Sequence, residues 1–220
     1  FAHSGYKTRI AKSADKLYLL YGSEYSIYDC SYFVIGNEKF YPLNCDKNSL
    51  EICDAFIPGE QPLSLRISTE PKLSIDLSEK RMLVSSKNIK LESCVNEHLI
   101  HFYNTYPSSY IDDNPLTRWA IIANTPLSSA TKDVIYPTLS SALVGKDALD
   151  KVNILLNFVQ TAFEYEYDDK VWGYDRAFFA EEVLMYPYCD CEDRTILFTR
   201  LVRDLVGLEC AIVCYPGHLA

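Results

Sequence analysis

Two spacings of apolar residues divide the chain. In the first half they alternate: Leu63, Leu65 and Ile67 with Ser64, Arg66 and Ser68, then Leu73, Ile75 and Leu77 with Ser74, Asp76 and Ser78. Successive strand side chains point to opposite faces, so each run predicts a strand with one buried face. Tyr32-Phe33-Val34-Ile35 and Lys39-Phe40-Tyr41 flank Gly36-Asn37, a pair that predicts a hairpin because glycine accepts the positive φ of a two-residue turn. Residues 1–110 are therefore expected to form a β-rich N-terminal domain. Turn formers gather at Tyr106-Pro107-Ser108-Ser109 and Asp112-Asp113-Asn114-Pro115, which marks a boundary with a second domain over 111–220. Trp119-Ala120-Ile121-Ile122, just past it, reads as a strand.

From Asp147 the period lengthens. Leu149, Val152, Leu155-Leu156, Val159 and Ala162-Phe163 recur every three or four residues, the spacing of one helical face. Asp147 and Asp150 stand at its start, where carboxylates meet the unsatisfied amides and positive end of a helix. A second such face follows Tyr188-Cys189-Asp190-Cys191-Glu192-Asp193-Arg194: Leu197, Phe198, Leu201, Val202 and Leu205, with Gly207 just past the end. Asp190 occupies the N-cap position and Asp193, three residues on, the acidic position of a capping box, which makes Cys191 the first helical residue. Glu209-Cys210-Ala211-Ile212-Val213-Cys214-Tyr215 is almost continuously apolar and predicts a buried strand. Pro216-Gly217 then turns the chain to deliver His218 to an antiparallel neighbour.

Composition narrows the function. At 220 residues with 48% hydrophobic content the chain can bury a sizeable core. A net charge of −9 with scattered acidic residues excludes nucleic acid as an expected partner, since phosphate binding needs clustered Lys and Arg. No apolar run approaches the roughly 20 residues of a membrane-spanning helix. The opening Phe1-Ala2-His3-Ser4 lacks a signal-peptide layout, and the chain reads as a piece of a longer product. Eight cysteines divide evenly between the halves, and Cys30, Cys45, Cys53 and Cys94 could form bridges in an oxidising compartment. His3, His98 and His101 have no partner pattern and read as structural or exposed, and the 17 tyrosines as packing residues.

The chemistry concentrates at Cys191. A thiol at a helix N-terminus lies against free amides and the positive end of the macrodipole, an arrangement expected to lower its pKa. His218, 27 residues on, is separated from it by one helix, one strand and one turn, so the fold can bring the imidazole to the sulfur as a base. Acyl chemistry would use the Cys191 amide as one oxyanion donor, with Trp172 or Tyr174 of Val171-Trp172-Gly173-Tyr174 as a candidate second. A zinc site from Cys189, Cys191, Cys210, Cys214 and His218 is rejected on spacing, since Cys-x-Cys and Cys-x3-Cys are not zinc knuckles. No metal or cofactor is expected.

The segment Asp190-Cys191-Glu192-Asp193, the helix ending Leu205-Val206-Gly207-Leu208, the apolar strand and Pro216-Gly217-His218 resemble the Cys-helix-strand-His signature of the transglutaminase-like superfamily, especially its bacterial thiol-peptidase branch. Phe158-Val159-Gln160, Phe163-Glu164-Tyr165 and Phe178-Phe179-Ala180-Glu181-Glu182-Val183-Leu184 are similar to its upstream context. The resemblance covers about residues 146–220. It implies an α+β fold whose papain-type core packs the nucleophile helix on an antiparallel sheet, and a Cys191–His218 pair completed by an Asp expected beyond residue 220. The implied activity is hydrolysis or acyl transfer on peptide or protein amides, in the periplasm or at the cell surface. Cys189 stands where the family commonly has glycine. A protein that kept the fold as a non-catalytic binding or scaffold module is the alternative.

Overall fold

The computed structural model describes residues 2–27, 30–43, 49–53, 55–106, 114–216 and 218–220. Its mixed α and β elements separate into two compact units, 1–66 with 109–118 and 67–108 with 119–220. The boundary expected near residue 110 falls outside the described residues. Residues 67–106 group with the helical half because their apolar side chains, Leu83, Leu91, Val95, Leu99, Ile100 and Tyr103 among them, are buried in its core.

In the first unit, β1 (Thr8–Ser13), β2 (Lys16–Gly22), β3 (Phe33–Ile35), β4 (Glu38–Pro42) and β5 (Glu51–Cys53) form a curled antiparallel sheet in the order β3-β4-β2-β1-β5. The Gly36-Asn37 hairpin forms as the sequence predicts, with Ile35 opposite Glu38 and Gly36 at a φ of 62°. Ala11, Leu20 and Phe40 make a small core. The strand predicted over Leu63–Ile67 joins no ladder: Leu63 alone bridges Ser23, while the alternation survives as half-buried Leu63, Leu65 and Ile67 between exposed neighbours. That predicted over Leu73–Leu77 also fails, since Leu73, Ile75 and Leu77 are exposed and only Leu77 makes a bridge, to Asn96. Alternation encodes sidedness. A strand also needs a neighbour to accept its hydrogen bonds.

The second unit holds the hairpin of β6 (Arg81–Val84) and β7 (Lys90–Ser93), α1 (Glu97–Asn104) and, from Trp119 on, the rest of α2 (Pro115–Asn124), whose first residues group with the first unit. The predicted strand Trp119–Ile122 lies inside α2. A four-residue apolar run has no resolvable period, and the helix start was written further upstream, where Pro115 takes the first helical position and the Asn114 side chain accepts the Leu116 amide at 2.9 Å. Next come α3 (Ser129–Leu143), capped by Ser128, and α4 (Ala148–Thr161), capped by Asp147, whose side chain accepts the Asp150 amide at 2.8 Å. After them follow β8 (Glu164–Tyr165), α5 (Asp168–Val171), α6 (Ala180–Met185), β9 (Tyr188–Cys189), α7 (Cys191–Leu205), β10 (Cys214–Tyr215) and β11 (His218–Leu219). The α4, α6 and α7 helices bury Leu155, Phe158, Val183, Ile196, Leu197 and Leu201 in one core.

Glu181 on α6 ties this core together. Its carboxylate, 1% exposed, accepts the Ser128 amide at 2.9 Å, the Thr131 hydroxyl at 2.8 Å and the Tyr103 hydroxyl at 3.1 Å. One side chain thereby joins α1, α3 and α6, and burial holds it above the usual carboxylate range. Glu181→Ala strands three donors and is expected to cost about 3 kcal/mol. Glu181→Gln keeps an acceptor in place and should cost less than half as much. Urea unfolding of both variants checks this, and equal losses would contradict it.

Candidate functional site

The start of α7 is fixed from both sides of its first turn. The Asp190 side chain accepts the Glu192 and Asp193 amides at 3.1 and 3.4 Å, and Asp193 reaches back to accept the Asp190 amide at 3.3 Å. This is the capping box that the sequence predicts. The other oxygen of Asp193 accepts the Phe178 amide at 3.0 Å, so the segment entering α6 is held to the base of α7. Asp193 is fully buried, and among the described residues no Lys or Arg pairs with it. Burial first, then the Asp190 and Asp168 charges, raise it well above the ordinary carboxylate range.

Cys191 is half-buried on the first turn, and no acceptor takes its amide among the described residues. Cys191 and His218 line one cavity of about 410 Å³, together with Tyr165, Arg194, Thr195 and Phe198. Phe198 lies seven residues from Cys191, and both face this cavity, as the helical period requires. Strands β10 and β11 pair antiparallel, Cys214 opposite Leu219 and Tyr215 opposite His218. Thr195 fastens α7 to this hairpin by sharing its hydroxyl proton between Leu219 O at 3.2 Å and Cys191 O at 2.8 Å. The backbone amide of Leu219 also meets the Cys191 sulfur. The turn residue Gly217 lies outside the described residues.

Two expectations about this pair need correction. First, the thiol donates to Glu192 Oε2 at 2.8 Å, and no hydrogen bond joins it to His218, whose exposed ring stacks near Tyr215 at 6.5 Å between centroids. Second, the sulfur is not made acidic. Burial and the carboxylates of Glu192 and Asp190 push the thiol up to about 11, against the lowering effect of the Leu219 amide. The partial positive charge of a helix end, about half an elementary charge, is outweighed by full negative charges on the same turn. The strand predicted over Glu209–Tyr215 is also corrected: only Cys214–Tyr215 is strand, and all seven residues except half-buried Ile212 are exposed. Among the described residues β11 is the one strand paired there, and no second layer covers the outer face.

Trp172 sits elsewhere. Its ring packs edge-on against Phe178 and Tyr186 at 5.8 and 4.9 Å, with the Arg176 guanidinium 4.4 Å from its centroid. Tyr174 is exposed. Neither lines the cavity that holds Cys191 and His218.

Sequence reading quoted Phe163-Glu164-Tyr165 only as family-like context and gave β8 no place at the site. This strand pairs parallel with β9, Tyr165 opposite Cys189, which brings Tyr165 beside the start of α7. Arg194 secures this junction by donating to Gln160 O at 3.2 Å, Phe163 O at 2.9 Å and Cys189 Sγ at 3.4 Å, with its guanidinium 5.0 Å from the Tyr165 ring centroid. Cys189 is buried, which pushes its thiol up to about 11 despite Arg194. A two-residue strand leaves no period to read, so the pairing has no sequence signal.

Cys53 and Cys94 are free thiols, and Cys45 lies outside the described residues. The zinc set of Cys189, Cys191, Cys210, Cys214 and His218 is not assembled among the described residues. The grouping whose donor atoms do converge, within 4.8 Å of one another, is Asp190, Cys191 and Glu192. Compared with protein-family models, curated proteins and solved structures, the chain gives no match.

Removing the negative charge from the group that accepts the thiol proton should free the sulfur. Each unit by which the thiol pKa falls raises the thiolate fraction about tenfold, and lower nucleophilicity takes back about threefold. Glu192→Gln is thus expected to speed iodoacetamide alkylation of Cys191 at about pH 8 by roughly threefold. Site-resolved mass spectrometry reads the rate, and an unchanged rate would contradict control by Glu192.

Asp190 titrates with the opposite sign to a salt-bridged carboxylate. Burial, then Glu192 and Asp168, raise it from 3.8 to about 7. Across that window the folded chain keeps a proton the unfolded chain has lost, so stability falls as pH rises through it. Asparagine caps equally well and does not titrate. Asp190→Asn should therefore flatten the fall in Tm between pH 4 and pH 7, about the window those values set. A slope as steep as that of the unaltered chain would refute this assignment.

Proposed function

We propose that the chain carries a thiol-dependent amidase or acyltransferase site of transglutaminase-like type, acting on peptide or protein amides, with Cys191 as nucleophile and His218 as base. One observation carries this reading: Cys191 on the first turn of α7 and His218 on β11 line the same cavity. The resemblance of the segment 146–220 adds to it. A periplasmic or cell-surface location belongs to the same reading.

The electrostatics dictate how such a site would work. Because burial and the carboxylates keep the sulfur protonated, the reaction starts from a neutral thiol and imidazole, not from a preformed ion pair. The imidazole withdraws the proton as sulfur bonds to the carbonyl carbon and the C=O electron pair moves to oxygen. When the C–N bond breaks, the imidazolium returns that proton to the departing amine, leaving a thioester. Water or a second amine then attacks the thioester, giving hydrolysis or transfer. For this the Cys191 side chain rotates away from Glu192 and the exposed His218 ring turns toward it. Side-chain rotations of this kind are fast beside typical turnover.

The bond from the thiol to Glu192 also favours a second reading, a non-catalytic binding or scaffold module in which the cysteine is held inert. Incubation with a proteome-derived peptide library, with and without hydroxylamine, separates the two. Cleaved peptides or hydroxamates that fall at least about a hundredfold in Cys191→Ser and His218→Ala are the expected result. Products no different from those with Cys191→Ser would favour the inert module.

A further inference from the structure

Acyl transfer through Cys191 develops negative charge on the carbonyl oxygen. The carboxylates of Asp190 and Glu192 stand close to the Cys191 sulfur and oppose that charge, so hydrogen-bond donors carry more of the burden than usual. The Cys191 amide, which meets no acceptor among the described residues, is one donor. A single donor is a weak oxyanion hole. Trp172 is engaged by Arg176, Phe178 and Tyr186, and Tyr174 does not border the cavity.

We infer that the hydroxyl of Tyr165 is the second oxyanion donor of this site, an assignment that rests on the acyl-transfer reading above. Three independent placements support it. The parallel pairing of β8 with β9 fixes Tyr165 opposite Cys189, two residues before the nucleophile. Tyr165 lines the cavity shared by Cys191 and His218. Its ring is held between the Arg194 guanidinium, 5.0 Å from the centroid, and Tyr167, which meets it edge-on at 5.5 Å. Burial, then Cys191 and Asp190, push the phenol up to about 12, so it keeps its proton across the physiological range and is always a donor.

In the step concerned, sulfur bonds to the carbonyl carbon and the π pair becomes the third lone pair of oxygen. That oxygen accepts from the Cys191 amide and the Tyr165 O–H, neither of which transfers its proton. The intermediate collapses by re-forming the C=O bond and expelling the amine, which takes its proton from His218. Tyr165 thus acts only while oxygen carries charge.

Two probes that differ in whether they create that oxygen test the assignment. The peptide aldehyde acetyl-leucyl-leucyl-norleucinal forms a tetrahedral adduct with oxygen on the attacked carbon, whereas iodoacetamide alkylates sulfur and forms none. Tyr165→Phe is expected to weaken the aldehyde adduct at least about tenfold and lower kcat on a cleaved library peptide by about 10- to 100-fold, with KM little changed. Iodoacetamide alkylation of Cys191 should stay within about twofold. Full turnover and aldehyde affinity in Tyr165→Phe, with an active unaltered chain, would overturn the role of Tyr165 alone. Equal losses with both probes would also overturn it and mark Tyr165 as structural. An unaltered chain that neither turns over peptides nor forms the adduct would overturn the acyl-transfer reading, and this inference with it. Circular dichroism of the variant separates these outcomes from misfolding. If Tyr165→Phe keeps the native spectrum and Tm, its two probe results decide the matter; if it does not, Tyr165→His restores a donor and must recover adduct formation.

Discussion

Everything at this site depends on one buried carboxylate. Asp193 accepts the Asp190 amide with one oxygen and the Phe178 amide with the other. The first bond sets where α7 begins, and the second fixes the approach to α6 against it. A fully buried carboxylate without a cationic partner is costly to the fold, and its compensation here is geometric: two otherwise unsatisfied amides at an element boundary. The same bonds put Cys191 on the first turn with its amide free. Thr195, one turn along, then ties that turn to β11 and so to His218.

The cost of this anchoring is electrostatic. Capping a helix with aspartates, and following the cap with Glu192, places several negative groups around one sulfur. Helix position and local charge pull the thiol in opposite directions, and charge prevails because full carboxylates in a partly desolvated turn outweigh the fractional charge of a helix end. The consequence is a sulfur stored as a neutral thiol. Such a site would depend on its base and its oxyanion donors at the moment of reaction, which is why the exposed His218 and the positioned Tyr165 matter more than thiol acidity.

Much of this was legible in the sequence where local chemistry is sufficient. The α7 start, its Asp190–Asp193 box, the α4 face and the Gly36 hairpin are all written within a few residues and form as read. Cys191 and His218 border one cavity across the single helix, strand and turn that separate them, but the hydrogen bond of the thiol goes to Glu192. What escaped depends on partners distant in the chain. Trp119–Ile122 became helix through a start signal four residues upstream, and Leu73–Leu77 found no neighbour to pair with. Glu209–Tyr215 is apolar yet exposed, since burial is set by what covers a segment. The place of Tyr165 beside α7 went unread for a related reason: a two-residue parallel pairing across 24 positions sets it. The acidity of the sulfur was misread because helix position was weighed without the charges that the cap itself brings.

The pH dependence of Cys191 alkylation, followed by site-resolved mass spectrometry on the intact chain, tests this account most directly. An inflection near pH 11 is the predicted result, since burial and the carboxylates of Glu192 and Asp190 hold the sulfur as thiol. An inflection at or below the ordinary thiol value of about 8.5 would mean that the helix end prevails over its carboxylates, and the account of the site would fail.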